Sequence, residues 1–414
     1  FEHVWPFFLP DGKHFMYMGR QVRDQENTVF ISSLDSDVKK LVLRSVANVM
    51  YSPPGFVVFL KEQSLLAQRY DADALALVGE PTVIAGNVGY IPLIGLAAFS
   101  VSQNGVLAAG GGRSTNRQLT WFDRGGKAVG VLGSPGNYFD IALSPDEKRV
   151  AAQLWDLQGG NSDVWVYDVG QNTGTRFTFA TAVEDDPVWS PDGKWLSYSS
   201  SREGPPNLYR KLSSGAGAEE ALHHSSFPEY TADWSPDGKF ILFTRQDPVT
   251  KFDIWILPLT GERNPVPFAQ TEFDEWLGSF SPDGRWIAYW SNESGRFEVY
   301  VRNFSLADQS TPVGKWQISA NGGAQPRWRK DGKELYYMNP DRVLMAVPVN
   351  SGSTFQYEAA RQLFSTDTDN FDAPNRYVAT KNGHRFLMNV PLDREASNPV
   401  TITLNWITEV TKDK

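Results

Sequence analysis

The sequence predicts an all-β protein, a β-propeller built from four-stranded antiparallel blades. Three observations carry that prediction. One turn signature recurs along the whole 414 residues, the segments between turns alternate apolar and polar residues, and helical periodicity is nearly absent.

The signature is sharpest in "WSPDGKW" (Trp189 to Trp195), "WSPDGKF" (Trp234 to Phe240) and "FSPDGRW" (Phe280 to Trp286). Weaker copies begin at Leu9, Ser52, Ser102, Ser144, Arg329 and Thr380, which makes nine repeats. Counted from Ser190, Ser235 and Ser281 and from the first residue of the weaker copies, the fourth turn residues are Gly12, Gly55, Gly105, Glu147, Gly193, Gly238, Gly284, Gly332 and Gly383. The spacings of 43, 50, 42, 46, 45, 46, 48 and 51 are those of propeller blades. Proline presets an early turn φ, Asp caps local amides, and Gly takes the positive φ that closes the hairpin. Glu147 stands where the other repeats have Gly, so a strained or altered turn is expected there.

Each repeat supplies its strands in the same order. In the fifth, "PVWS" enters the turn, "KWLSYSSS" leaves it, "NLYRKLS" is a third strand and "EEALHH" a weaker fourth. Third strands elsewhere include "TVFISSL" at Thr28, "DVWVYDV" at Asp163, "DIWILPL" at Asp253 and "EVYVRNF" at Glu298. A four-stranded sheet cannot bury both faces alone, so the blades must pack around an axis. Trp189, Trp195, Trp234, Trp286 and Trp328 are the expected filling between them.

Leu65 to Leu77 reads as strand and loop, and Ile91 to Val101 as a buried strand pair. The ninth repeat offers "RYVAT", "HRFLMNV" and "TITLNWITEV" (Thr401 to Val410), three strands without a fourth. A strand from the opposite terminus is expected to complete such a blade. Residues 1–414 are read as a single propeller of eight or nine blades, and as a monomer.

The 48 Asp and Glu against 39 Lys and Arg give a net charge of −9. That balance argues against nucleic acid and against an anionic membrane surface. Without cysteine, disulfides, thiolate nucleophiles and cysteine metal sites are excluded. The most apolar run, Ile91 to Val101, is too short to span a bilayer, so no membrane insertion is expected from this segment. Because the chain opens "FEHVWPFF", it reads as a mature or excised fragment.

The "WSPDGKW" and "FSPDGRW" units resemble the propeller repeats of the periplasmic translocation protein TolB and its relatives. "WPFFLPDGKHFMY", "LLAQRYDADALALVGEP", "AAFSVSQNGVLA", "FSPDGRWIAYWSNESGRFEVYV" and "GGAQPRWRKDGKELYY" resemble, in order and spacing, the C-terminal propeller of membrane-anchored bacterial serine/threonine protein kinases abundant in acidobacteria. That resemblance implies kinase and transmembrane segments upstream, and an extracytoplasmic sensor or interaction module here. No Gly-rich loop with a catalytic lysine, "HRD" or "DFG" occurs, so these residues carry no phosphoryl transfer.

Propeller ligands bind at the axial mouth, so the strand entering each turn holds the candidates. Six residues before Ser190, Ser235 and Ser281 lie Glu184, Glu229 and Glu275; four before Ser144 and Ser190 lie Asp140 and Asp186. Residues two apart share a strand face, so these could line one opening for a cation, an amine or a basic peptide. The competing reading is solvated strand ends. Asp233 and Arg327, two before their turns, could join a polar network or simply bond loop backbone.

His3, His14, His223, His224 and His384 lack metal-site spacing and read as surface residues. "DSD" at Asp35 and "DAD" at Asp71 read as turn caps. No catalytic residue, cofactor or metal is expected. The partner classes are a small ligand, a peptide or an envelope protein. The alternatives are a TolB-like envelope interaction scaffold and, behind it, a carboxylate-dependent glycan-active enzyme.

Overall fold

The computed structural model describes residues 2–20, 27–61, 64–91, 95–111, 116–156, 161–305, 314–352, 354–368, 375–392 and 400–411. Where the sequence reading expects one body over 1–414, contacts divide the chain into two compact units. Phe1–Thr115 with Asp393–Lys414 forms one, and Asn116–Leu392 the other. Three of the nine turns fall in the first unit and six in the second.

In the first unit, Glu2–Phe8, His14–Arg20, Asn27–Ser33 and Lys39–Ser45 make one antiparallel sheet, and Met50–Ser52, Phe56–Lys61, Ser64–Asp71 and Ala76–Ala85 a second. Tyr90–Ile91 pairs with Leu96–Ala97. Phe99–Val101 and Leu107–Gly110 gain a third strand from Val400–Thr403. The expected strand over Thr401 to Val410 therefore ends early, and Trp406–Thr411 is a helix. Its β-branched residues suggest a strand, but helical spacing lets Trp406, Ile407 and Val410 all meet one core. Trp406 lies edge-on against Phe56 at 5.7 Å.

The described residues of the second unit form six sheets. Their innermost strands are Tyr138–Leu143, Glu184–Trp189, Glu229–Trp234, Glu275–Phe280, Ala324–Trp328 and Tyr377–Ala379. We number the blades I to VI in that order. Each inner strand touches the next, and blade VI meets blade V where Tyr377 Oη donates to Gln325 O at 2.9 Å. Blade VI also touches blade I, so six blades close a ring. Blade VI is completed by strands from within the chain and not from its opposite terminus: Arg117–Asp123 pairs with Arg385–Pro391 and carries Ala128–Gly136 outside it.

Between blades the core is aromatic. Trp189 packs with Ala151 and Val164 of blade I and with Leu196 and Tyr198 of its own blade. Trp286 packs with Leu335 and Val347 of blade V. Indole N–H groups add cross-blade bonds, Trp189 to Ala142 O at 3.1 Å and Trp328 to Ser279 O at 3.0 Å. A buried Trp that finds such an acceptor fills space without an orphaned donor.

The turns are built from local bonds. Ser190 Oγ donates to Asp192 Oδ1 at 2.7 Å and accepts from Trp195 N at 2.9 Å, while Lys194 N donates to Asp192. The hydrogen bond from the Ser190 hydroxyl holds the Asp192 carboxyl below its ordinary pKa. Ser144, Ser235 and Ser281 repeat the bond to their Asp. Gly193, Gly238 and Gly284 sit at φ of 70°, 75° and 71°. Glu147 takes the same backbone at 62°, the strained turn that the sequence implies.

Candidate functional site

Where the six inner strands run into their turns, the second unit encloses an axial cavity of about 250 Å³. Its mouth is ringed by the second residue of each turn, Pro145, Pro191, Pro236, Pro282, Lys330 and Lys381. Two residues before each turn, a further ring lines the wall: Ala142, Val188, Asp233, Ser279, Arg327 and Val378. Blades VI, I and II present the apolar members, and blades III, IV and V the polar ones. The cavity thus has an apolar half and a polar half.

A bulge in the inner strand sets these faces. Pairing shifts between Tyr138 and Ile141, Asp185 and Val188, Thr231 and Asp233, Trp276 and Ser279, and Ala324 and Arg327. Within it Asp186, Leu277 and Gln325 take positive φ. A bulge re-aims the residues beyond it, so simple alternation fails across this point.

Asp233 and Arg327 do line the cavity. Asp233 Oδ1 accepts from Trp234 N at 2.8 Å, and Oδ2 accepts from Phe280 N at 2.7 Å and Ser279 Oγ at 3.2 Å. Burial still pushes its carboxyl above the ordinary range. Arg327 is half-buried, its Nη1 donating to Pro326 O at 3.1 Å. Desolvation lowers its guanidinium pKa, against the pull of Tyr377, Asp233 and Asp140.

Asp140 and Asp186 are buried and hydrogen-bonded to each other. Asp140 Oδ1 also accepts from Asn375 N at 2.7 Å. Burial drives both carboxyl groups upward, Asp186 the further, because the Asp140 and Asp185 charges add to its desolvation. Two buried carboxyls side by side each make ionisation of the other harder, which adds to the upward push of burial on Asp186. Neither lines the cavity, but Asn375, which covers Asp140, does.

The three glutamates are elsewhere, and their expected place at the mouth is corrected. Glu184, Glu229 and Glu275 lie before the bulge and are 0%, 0% and 1% exposed. Arg202 of its own blade pairs with Glu184, and Ser200 Oγ donates to it at 3.2 Å. Burial raises the Glu184 pKa despite that cation. Arg245 meets Glu229 Oε1 at 2.7 Å, and His223 Nδ1 lies 2.8 Å from Oε2, so His223 is half-buried against a carboxylate and not the surface residue expected. Thr271 Oγ1 donates to Glu275 Oε1, while Oε2 has no partner. Burial pushes Glu275 to about 7.

Each glutamate is engaged by neighbouring side chains, Glu229 from its own blade and from His223 of blade II, and none is left free as the acid or base that glycan hydrolysis uses. Among the described residues no group of three His, Asp or Glu could hold a metal ion. Asp71 Oδ1 caps Asp73 N and Ala74 N, both at 2.9 Å, as a turn should. Sequence reasoning missed Lys330, Lys381 and Asn375. The lysines were open to discovery, because they replace the repeat's proline at the turn position that rims the axis.

A closed ring of four-stranded blades with a cavity on its axis defines a β-propeller. Residues 125–276 match the family described as the TolB beta propeller domain. An uncharacterised protein of Agrobacterium fabrum is 24% identical over 264 residues, covering 58% of this chain and 82% of that protein. The Tol-Pal system protein TolB of Helicobacter pylori is 25% identical over 170 residues, 40% of this chain and 37% of TolB. An uncharacterised peptidase of Bacillus subtilis is 32% identical over 109 residues, but only 17% of its length is matched. Among solved structures, a protein of Agrobacterium tumefaciens provisionally assigned as TolB superposes with a TM-score of 0.51 at 19% identity. It covers 67% of this chain and 99% of its own, a likeness that shows the fold.

Proposed function

We propose that the chain is a noncatalytic, extracytoplasmic sensor or interaction propeller that takes a small ligand or a peptide segment into the axial cavity of its second unit. The cavity carries this reading: six strands converge on it, and its wall pairs an apolar half with a few polar groups, the composition of a binding pocket. The match to the TolB propeller family supports an envelope setting. Resemblance to the C-terminal propellers of membrane-anchored kinases supports a sensor joined to upstream segments of a longer polypeptide.

The test is thermal unfolding of the chain across panels of metabolites, glycans and short peptides. A ligand present at 100 times its Kd stabilises the folded state by about 2.7 kcal/mol. Stabilisation without turnover is the expected result, and no stabilisation by any panel overturns the reading. A second reading, an envelope scaffold in the manner of TolB, rests on the same family match. Capture of one defined envelope protein, blocked by substitutions at the mouth ring, would favour it.

A further inference from the structure

We infer that the axial cavity recognises a carboxylate, gripped by the Arg327 guanidinium and drawn in by Lys330 and Lys381 at the mouth. This rests on the binding reading above and names its ligand class.

Arg327 has donors to spare. Among the described residues its one hydrogen bond is from Nη1 to Pro326 O, and the rest of its planar fork belongs to the cavity wall. Asp233, the nearby anion, does not occupy that fork. Its oxygens are taken by Trp234 N, Phe280 N and Ser279 Oγ. A guanidinium that has lost water without gaining a bidentate partner gains more from a carboxylate than an exposed arginine would.

Two more observations narrow the ligand. Asn375, 4% exposed and lining the same cavity, has a buried amide oxygen without a hydrogen-bond partner. That oxygen calls for a donor, such as the N–H beside a carboxylate in an acylated amino acid or a peptide C-terminus. Ala142, Val188 and Val378 across the axis suit an apolar side chain. Lys330 and Lys381 are exposed and form no ion pair among the described residues. The carboxyls of Asp233 and Asp140 nearby oppose a dianion, so a single carboxylate fits better than phosphate.

The experiment titrates the full chain calorimetrically with N-acetyl-leucine, its neutral amide N-acetyl-leucinamide, agmatine and inorganic phosphate. Saturable binding of the acid is expected, at least tenfold tighter than the amide or phosphate. Arg327→Gln should weaken it tenfold or more, and Arg327→Lys, which keeps charge but loses the fork, by less. Lys330→Ala with Lys381→Ala should weaken it a few-fold and flatten its salt dependence. Unfolding curves of each variant establish that it is folded, and Arg327→Lys serves if Arg327→Gln is not.

Undiminished binding in the Arg327 variants, or amide or phosphate binding as tightly as the acid, overturns the inference and leaves the binding cavity standing. Agmatine binding in place of the acid does the same. If none of the four probes binds, the inference is overturned, and the cavity reading is decided by the wider panels of metabolites, glycans and peptides.

Discussion

The carboxylate of Glu147 accepts a hydrogen bond from the backbone amide of Lys381, 234 residues away in sequence. It joins the turns of blades I and VI, where the ring closes. At four of the other five turn junctions a glycine faces a proline, Gly193 with Pro145, Gly238 with Pro191, Gly284 with Pro236 and Gly332 with Pro282, while Gly383 of blade VI lies against Arg329 and Tyr336 of blade V. Blade VI has Lys381 in place of that proline and blade I has Glu147 in place of that glycine, so a hydrogen bond substitutes for a proline–glycine contact.

Two substitutions separate the bond from its backbone strain. Glu147→Ala loses the bond and keeps a positive φ, so a loss of about 1–2 kcal/mol is expected. Glu147→Gly loses the bond but relaxes the backbone, offsetting about 1 kcal/mol of that. Denaturant unfolding should rank wild type and Glu147→Gly close together, with Glu147→Ala below both. Equal losses would show that φ is unstrained.

Gly193 is constrained by conformation and not by space. At φ 70°, a Cβ there would meet nothing nearer than Pro145 Cδ at 3.8 Å. Gly193→Asn should therefore be mild, Gly193→Ala should cost about 1 kcal/mol, and Gly193→Val should cost more, because branching at Cβ tolerates this region worst. Thermal unfolding midpoints in the order Asn, Ala, Val check the ranking. A reversed order would point to side-chain contact.

Glu275 should make stability fall as pH rises. Burial lifts its pKa from an ordinary 4.5 to about 7, so the folded state binds this proton more tightly than the unfolded chain does. Its contribution is complete below pH 4.5 and declines as pH climbs through 7, each tenfold difference in proton affinity between the two states being worth up to about 1.4 kcal/mol. Glu275→Gln removes the charge that burial disfavours, so it should flatten this part of the profile. Denaturation midpoints at pH 5 and pH 8 test it, and an unchanged slope in the variant would overturn the assignment.

How much of this was legible in the sequence depends on how local the physics is. The turns at Ser144, Ser190, Ser235 and Ser281 were readable because their bonds lie within five residues. The tryptophan filling was readable because few other places accept so large a ring. The faces of the inner strands were not. A bulge between Asp185 and Val188 breaks the alternation by which Glu184 and Asp186 seemed to share a face. The sequence shows no mark of that extra residue. The division into two units was hidden as well, since all nine turns look alike and only long-range contacts tell which repeats meet.

Glu184 and Arg327 bring these points to one test. Alternation would put Glu184 at the mouth, where Glu184→Gln should impair binding and spare the fold. The geometry reverses that expectation. Glu184 is wholly buried, paired with Arg202 and bonded by Ser200, and Arg202 is anchored a second time by Glu219. Replacing the carboxylate with an amide leaves a mostly buried guanidinium with one of its two anions, which should cost about 1–3 kcal/mol, less than the full breaking of a buried pair because Glu219 remains. Affinity for N-acetyl-leucine should be unchanged. Arg327→Gln should show the opposite, keeping its unfolding midpoint and losing affinity. A double-mutant cycle of Glu184→Gln with Arg202→Met should return a coupling of about 0.5–3 kcal/mol, as expected of residues in one network. Loss of binding in Glu184→Gln at unchanged stability would restore the glutamate to the mouth and remove the bulge from the explanation.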